Sequence, residues 1–202
     1  MPLTVEAQEK KIQSMTPENK KLIEKYFTKD RKFDIINSQF AIHYLFDQTE
    51  SVNNLISTIN TYLKQDGYVI CTLFDPNQVM KLLNEKNGTY TSWYTDENGQ
   101  RSKFFEIIKK FEGDLKSQPG MTIDVFMSWI CQADTYFTEY LTTPELLTNT
   151  MSAAGCVLVD TDLFANLYSI NKEWFETVIE HEENPKNKKF YKNVAQFYGD
   201  LK

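Results

Sequence analysis

The chain has 202 residues, 41% of them hydrophobic and 25% charged, with a net charge of −6. That length suits one domain with a real core, and the acidic balance gives no sign of an avid, charge-driven nucleic-acid binder. Cys71, Cys131 and Cys156 show neither metal-ligand nor pairing spacing, which points to reduced, buried thiols; the first residues lack a basic stretch before an apolar core, so no signal peptide is expected, and no apolar run approaches membrane-spanning length.

Residues 1–15 are polar and read as though they begin mid-domain. Thr16-Pro17-Glu18 is a helix start, with Thr16 as N-cap and Pro17 at the first helical position. Leu22, Ile23, Tyr26 and Phe27 recur at helical spacing and predict one buried stripe. Phe33-Asp34-Ile35-Ile36-Asn37 predicts the first strand, with Asp34 structural rather than catalytic. A second helix is expected from Glu50 to Lys64, closed by Asp66-Gly67 with Gly67 as the left-handed cap. Tyr68 to Phe74 then reads as a strand buried on both faces, which makes a βαβ unit.

Asp75-Pro76 opens a helix carrying Val79, Leu82 and Leu83, and Asn87-Gly88 breaks it. The stretch from Thr89 to Phe126 is strand-like at Thr89–Tyr94 and Met121–Phe126, with turns at Asp96-Glu97-Asn98-Gly99 and Gln118-Pro119-Gly120. Pro144 opens a helix that ends at Ala154-Gly155, and Cys156-Val157-Leu158-Val159 is expected to be the next strand. One helix is expected over Phe164–Phe175 and a last one from Lys188, after the polar break at residues 184–187. No internal repeat, low-complexity tract or domain boundary stands out.

Aromatic residues reach 14%, which leaves rings beyond the needs of a core for stacking on a base or a peptide. Trp93, Trp129 and Trp174 read as core or rim, and Met80, Met121, Met127 and Met151 as packing. Asp160 and Asp162 read as solvated turn carboxylates, and two histidines, His43 and His181, are too few for a zinc site. No phosphate-cradling glycine loop is found. The lysines at 186, 188, 189 and 192 read as a solvated helix face, with weak contact to RNA phosphates as the alternative.

One constellation points to a ligand. Gln39-Phe40-Ala41-Ile42-His43-Tyr44 follows the first strand, at the carboxyl edge where open α/β sheets bind ligands. Taken by spacing alone, Phe40 and Tyr44 form one i, i+4 pair and Gln39 and His43 another, which suits a helix whose rings are core.

The same run resembles the Gln-Phe-x-x-His-Tyr signature of the mRNA cap (guanine-N7) methyltransferases, especially those of large DNA viruses. Glu139-Tyr140-Leu141 resembles the family's Glu-Tyr-Leu segment, and Ala154-Gly155-Cys156-Val157-Leu158-Val159 its small-Gly-apolar close. Residues 14–20 resemble the viral branch just before its fourth strand. The resemblance implies an α/β fold: a partial Rossmann-like class I methyltransferase sheet, with helices on both faces and an inserted cap-binding region. It implies S-adenosylmethionine as cofactor, with Gln39 lining its pocket. Phe40, His43, Tyr44 and Glu139 would contact the cap guanine. No general base and no metal are needed.

The family's glycine-rich cofactor loop and ribose-binding acid have no counterpart here, and its last guanine-contacting Tyr is expected beyond Lys202. The chain is therefore expected to be a single domain over 1–202 that corresponds to the middle and carboxyl part of the methyltransferase, without its amino-terminal cofactor-loop segment. The implied function is methyl transfer to N7 of the mRNA cap guanine within a larger capping enzyme. Capped RNA and the remaining capping-enzyme domains or a partner subunit are the expected partners. The expected location is cytoplasmic (the host cytoplasm or the virion for a viral chain), with no membrane association. A non-catalytic stimulatory subunit and a small-molecule methyltransferase of the same fold are the alternatives.

Overall fold

A computed structural model describes residues 15–26, 31–95, 99, 101–132, 135–189 and 191–192. The turn expected at residues 96–99 lies largely outside them, as do Phe27 and the end of the last helix. The chain forms two compact units, residues 1–157 and 158–202.

The first element among the described residues is α1 (Pro17–Tyr26), capped as expected: the Asn19 amide donates to Thr16 Oγ1 at 3.4 Å. Its expected buried stripe is not formed among the described side chains, since Leu22 stays exposed and Ile23 is half-buried. Next come β1 (Phe33–Gln39), a 3-10 helix (Ile42–Phe46), α2 (Thr49–Tyr62) and β2 (Leu63–Thr72). β1 and β2 pair in parallel, so the βαβ unit is present.

Two expectations here are corrected. α2 runs straight into β2 at Leu63, and the left-handed residue is Asp66 (φ 61), not Gly67. Lys64 to Gly67 bulge out between the pairs Phe33–Leu63 and Ile35–Tyr68. Gly67 is needed there for closeness: a Cβ would lie 2.9 Å from the Asp34 carbonyl oxygen. Nor is β2 buried on both faces. Ile36, Val69 and Cys71 face the core, while Ile35, Tyr68 and Ile70 on the other face are exposed. Asp34 pairs with Lys64 at 2.8 Å, and the Lys64 ammonium holds its carboxyl below the ordinary range, in keeping with a structural role.

α3 (Pro76–Glu85) has a complete cap, with Asp75 accepting from the amides of Asn77 and Gln78 at 2.8 and 3.3 Å. A four-stranded antiparallel sheet comes next, in the order β3 (Thr89–Thr95), β4 (Arg101–Lys109), β5 (Thr122–Met127), β6 (Phe137–Tyr140). The residue pattern does not announce β4 as a strand. α3 lays Val79, Met80 and Leu83 on Ile107, Ile123 and Val125 of this sheet to make one core. A second core joins Ile42 and Phe46 to Val52, Leu55 and Ile59 of α2, with Leu146, Leu147 and Met151 of α4 (Pro144–Ala153) against it. Burying a side chain of this size stabilises by about 1.5–3 kcal/mol. The α/β architecture thus combines a parallel βαβ unit with an inserted antiparallel sheet.

Gly155 (φ 77) ends α4, with the Cys156 amide returning to the Met151 carbonyl at 2.9 Å. The strand expected at Cys156–Val159 is not formed. No partner strand pairs with it among the described residues, and Val157, Leu158 and Val159 are exposed.

In the second unit the helix expected over Phe164–Phe175 is two, α5 (Phe164–Ile170) and α6 (Lys172–His181), divided at Asn171. The Asn171 side chain donates to the Leu167 carbonyl at 2.8 Å and competes with the backbone there. Residues 185–189 and 191–192 are helical, so the last helix starts at Pro185, just after Asn184 Oδ1 accepts from the Lys186 amide at 3.0 Å. Asp162 accepts from Leu163 and Asn166, and His181 bonds the Thr177 carbonyl. These are local structural roles.

Candidate functional site: a buried glutamate at the strand end

β1 ends at Gln39, and the next residue turns the chain. Phe40 has φ 49, a left-handed conformation that is uncommon for a large side chain. Its amide donates to both the carbonyl and the hydroxyl oxygen of Thr72 at 3.0 Å, which ties this turn to the end of β2. The chain then winds into the 3-10 helix, where three residues make a turn instead of the expected 3.6. Ile42, His43 and Phe46 therefore point inward, while Phe40 and Tyr44 are exposed rather than core.

This winding delivers His43 and Tyr44 to β6 across nearly a hundred residues of sequence. Glu139 is only 5% exposed and His43 only 2%. Tyr44 donates its hydroxyl hydrogen to Glu139 Oε1 at 2.7 Å, and His43 Nε2 bonds Glu139 Oε2. The Tyr44 pKa is pushed up to about 12 by desolvation of its hydroxyl, then by the hydrogen bond to Glu139 and the charge of that carboxylate. It stays a phenol and a donor at any physiological pH. The His43 ring lies against Tyr44, centroids 4.3 Å apart, and near Phe74 at 6.4 Å.

The insert is locked onto this corner by its loops. The Gly120 amide donates to the Phe46 carbonyl at 2.9 Å, and the Leu141 amide to the Met121 carbonyl at 2.8 Å. Gly120 has φ 85 and lies so close to Asp47 that a Cβ would come within 3.2 Å of its carbonyl oxygen.

Of the five residues singled out in the sequence, His43, Tyr44 and Glu139 are directly bonded, and Phe40 makes the turn that leads to them. Gln39 is exposed at the same strand end, its amide donating to Asn37 Oδ1 at 2.5 Å. His43 Nδ1 is buried with no partner among the described residues. A buried polar atom of this kind usually meets a water or a ligand.

A second polar cluster escapes the sequence reading. Glu106, buried, accepts from Thr91 Oγ1 at 2.7 Å and from Lys103 Nζ at 2.7 Å, and Tyr136 also bonds it. Burial pushes the Glu106 carboxyl up, but the hydrogen bonds from Lys103, Tyr136 and Thr91 outweigh it and hold it below the ordinary range. Thr91 sits directly opposite Glu106 in the register, a cross-strand pair that becomes legible only once β4 is identified. Among the described residues no group of three metal-ligating side chains occurs, and no helix is long and apolar enough to cross a membrane.

Residues 8–108 match the family model of the mRNA (guanine-N(7))-methyltransferase domain, a span that includes Gln39, Phe40, His43 and Tyr44 and stops before Glu139. A probable mRNA-capping enzyme of Acanthamoeba polyphaga mimivirus is 38% identical over 200 residues, 98% of this chain and 17% of that protein. An mRNA-capping enzyme of African swine fever virus is 27% identical over 138 residues, covering 68% of this chain and 15% of that one. An mRNA cap guanine-N(7) methyltransferase of Oryza sativa subsp. japonica is 29% identical over 99 residues, 44% of this chain and 27% of that one. The chain thus spans 15–27% of the length of these curated relatives.

Proposed function

Because the chain belongs to the mRNA cap (guanine-N7) methyltransferase family, we propose that it carries the guanine-binding part of a methyltransferase domain within a larger capping enzyme, acting in the cytoplasm on capped RNA. The observation that carries this reading is the buried Glu139, gripped by Tyr44 and His43. A guanine presents two donors on one edge, N1–H and N2–H, and a carboxylate accepts both. Adenine lacks that pair.

Each residue has a role. Glu139 reads the guanine edge, and each of its oxygens retains acceptor capacity beyond the bonds to Tyr44 and His43. Phe40 and Tyr44 offer ring faces, and stacking on a base contributes about 1–3 kcal/mol. His43, being buried, orients Glu139 more than it touches the base. Gln39, with Asn37 beside it and Thr72 close to the turn, presents neutral hydrogen-bonding groups that fit the adenosine and amino-acid parts of S-adenosylmethionine. That cofactor, when bound, supplies an electrophilic sulfonium methyl. Guanine N7 carries no proton, so the protein needs no general base; its work is to hold and align the purine, which lowers a barrier by roughly 7–11 kcal/mol when the geometry is right. As the purine gains positive charge, the Glu139 carboxylate stabilises it.

The test is methyl transfer from labelled S-adenosylmethionine by the larger capping enzyme that contains this chain. Label at N7 of a guanosine-capped RNA, and none on an adenosine-capped RNA, is the expected result. A folded protein that binds the capped RNA yet transfers no label would point to the non-catalytic stimulatory subunit.

A further inference from the structure

The end of the antiparallel sheet beyond Glu139 carries a row of rings in solvent. Trp129 is 59% exposed and Phe104 40%, and Tyr94 is similarly open. The rings hold one another. Tyr94 meets Phe104 edge-on at 5.8 Å, Phe104 lies 5.0 Å from Trp129, and Trp129 stacks on Phe105 at 6.4 Å with planes 14° apart. Trp93, opposite Lys103, lies on the other face of the sheet, where the Arg101 guanidinium is 5.0 Å from the centre of its ring. A register shift between Ser92 and Trp93 inserts Phe104 as the extra residue of β4, the kind of bulge that re-aims a side chain.

The register places this row on the face that holds Glu139. Phe105 is opposite Met127, Val125 is opposite Phe137, and Phe137 is two residues from Glu139 on one strand. Phe137 is itself exposed, so rings lie on one face from the glutamate outward. Two strand spacings across and four residues along put Phe105 roughly 17 Å from Glu139.

We propose that Tyr94, Phe104 and Trp129 form a stacking platform for the unpaired bases of the RNA that leads away from the cap; the proposal rests on the cap-binding reading of Glu139. Two observations select single-stranded RNA. The row is dominated by flat rings, which stack on any base regardless of sequence. α3 covers Ile107 and Val125 in the middle of this face, but Phe137, on the edge strand β6 and two residues from Glu139, is exposed and leads from the guanine site along that edge. Stacking also suits a chain of net charge −6, in which phosphate contacts cannot dominate.

The test is equilibrium binding of the full chain to two probes: a guanosine-capped dinucleotide, and a capped RNA of about ten unpaired nucleotides. The capped RNA should bind roughly tenfold tighter, with weak salt dependence. Trp129→Ala and Phe104→Ala should each remove most of that advantage and leave the dinucleotide affinity unchanged, and Trp129→Phe should restore it. Equal affinities for the two probes in the wild type would overturn the proposal. So would an advantage that survives both alanine changes, or alanine variants whose only effect is to dissolve a self-association seen by sedimentation. If the wild type ignores the dinucleotide yet uncapped RNA still depends on Trp129, the cap reading fails and the platform stands.

Discussion

The Tyr44 hydroxyl and the Glu139 carboxylate are bonded at 2.7 Å although 95 residues separate them in sequence. Tyr44 reaches its partner because Phe40 turns the chain left-handed and the 3-10 helix swings Tyr44 round toward β6. The bond has a pH signature. The raised pKa, about 12 against the usual 10, means that its stabilising contribution is complete below pH 10 and is lost as pH rises from there through about 12. Ultraviolet titration should show Tyr44 ionising late, alongside Tyr136, which its bond to Glu106 also raises, and Glu139→Gln should return Tyr44 alone toward the ordinary value. A titration unchanged by that substitution would break the link between the two residues.

Removing His43 should leave a buried carboxylate oxygen short of a partner. His43→Ala is expected to cost about 1–3 kcal/mol of stability and to weaken guanosine-cap binding, read by chemical denaturation and by titration with the cap. His43→Gln, which can still donate, should recover part of both. Full cap affinity in the alanine variant would show that Glu139 needs no such support.

Much of this corner is legible in the residues themselves. Phe33 to Asn37 reads as a strand, and Thr16, Asp75 and Pro144 mark helix starts where the caps form. The pairing of Glu139 with His43 is not legible by spacing, because nothing local encodes a contact between a turn and a distant strand; the family resemblance assigns both to the guanine without pairing them. Gly67 misleads because a glycine after an apolar helix suggests a cap, when the requirement is close approach to Asp34. Val157, Leu158 and Val159 mislead because β propensity needs a partner strand, and none pairs with them among the described residues. The bonds around Glu106 escape because β4 is interleaved with charged residues and does not look like a strand.

Substitution at Gly67 should be costly for a reason unrelated to ligand. A Cβ there meets the Asp34 backbone oxygen and the Leu63 side chain, both at 2.9 Å. Gly67→Ala should destabilise by about 1–3 kcal/mol, seen as a lowered Tm. A Tm equal to the wild type would mean that β1 and β2 lie further apart at this bulge.

The bonds around Glu106 predict an acid-sensitive sheet. Its carboxyl titrates below the ordinary value of 4.5, so the stability it provides is present above that pH and is lost as pH falls through the lower folded value. Glu106→Gln should cost about 1–3 kcal/mol at neutral pH and flatten the acid limb of a stability–pH curve. An acid limb as steep in the variant as in the wild type would assign it to other groups.

The central claim is that Glu139 reads a guanine. The most direct test is the affinity of the chain for a guanosine-capped dinucleotide against its adenosine-capped counterpart, in the wild type and in Glu139→Gln. The account predicts a preference for guanosine of roughly tenfold or more in the wild type, since each hydrogen bond to a charged group contributes about 1.5–3 kcal/mol, and its collapse in the variant. A preference that persists in Glu139→Gln, or no preference in the wild type, would contradict it.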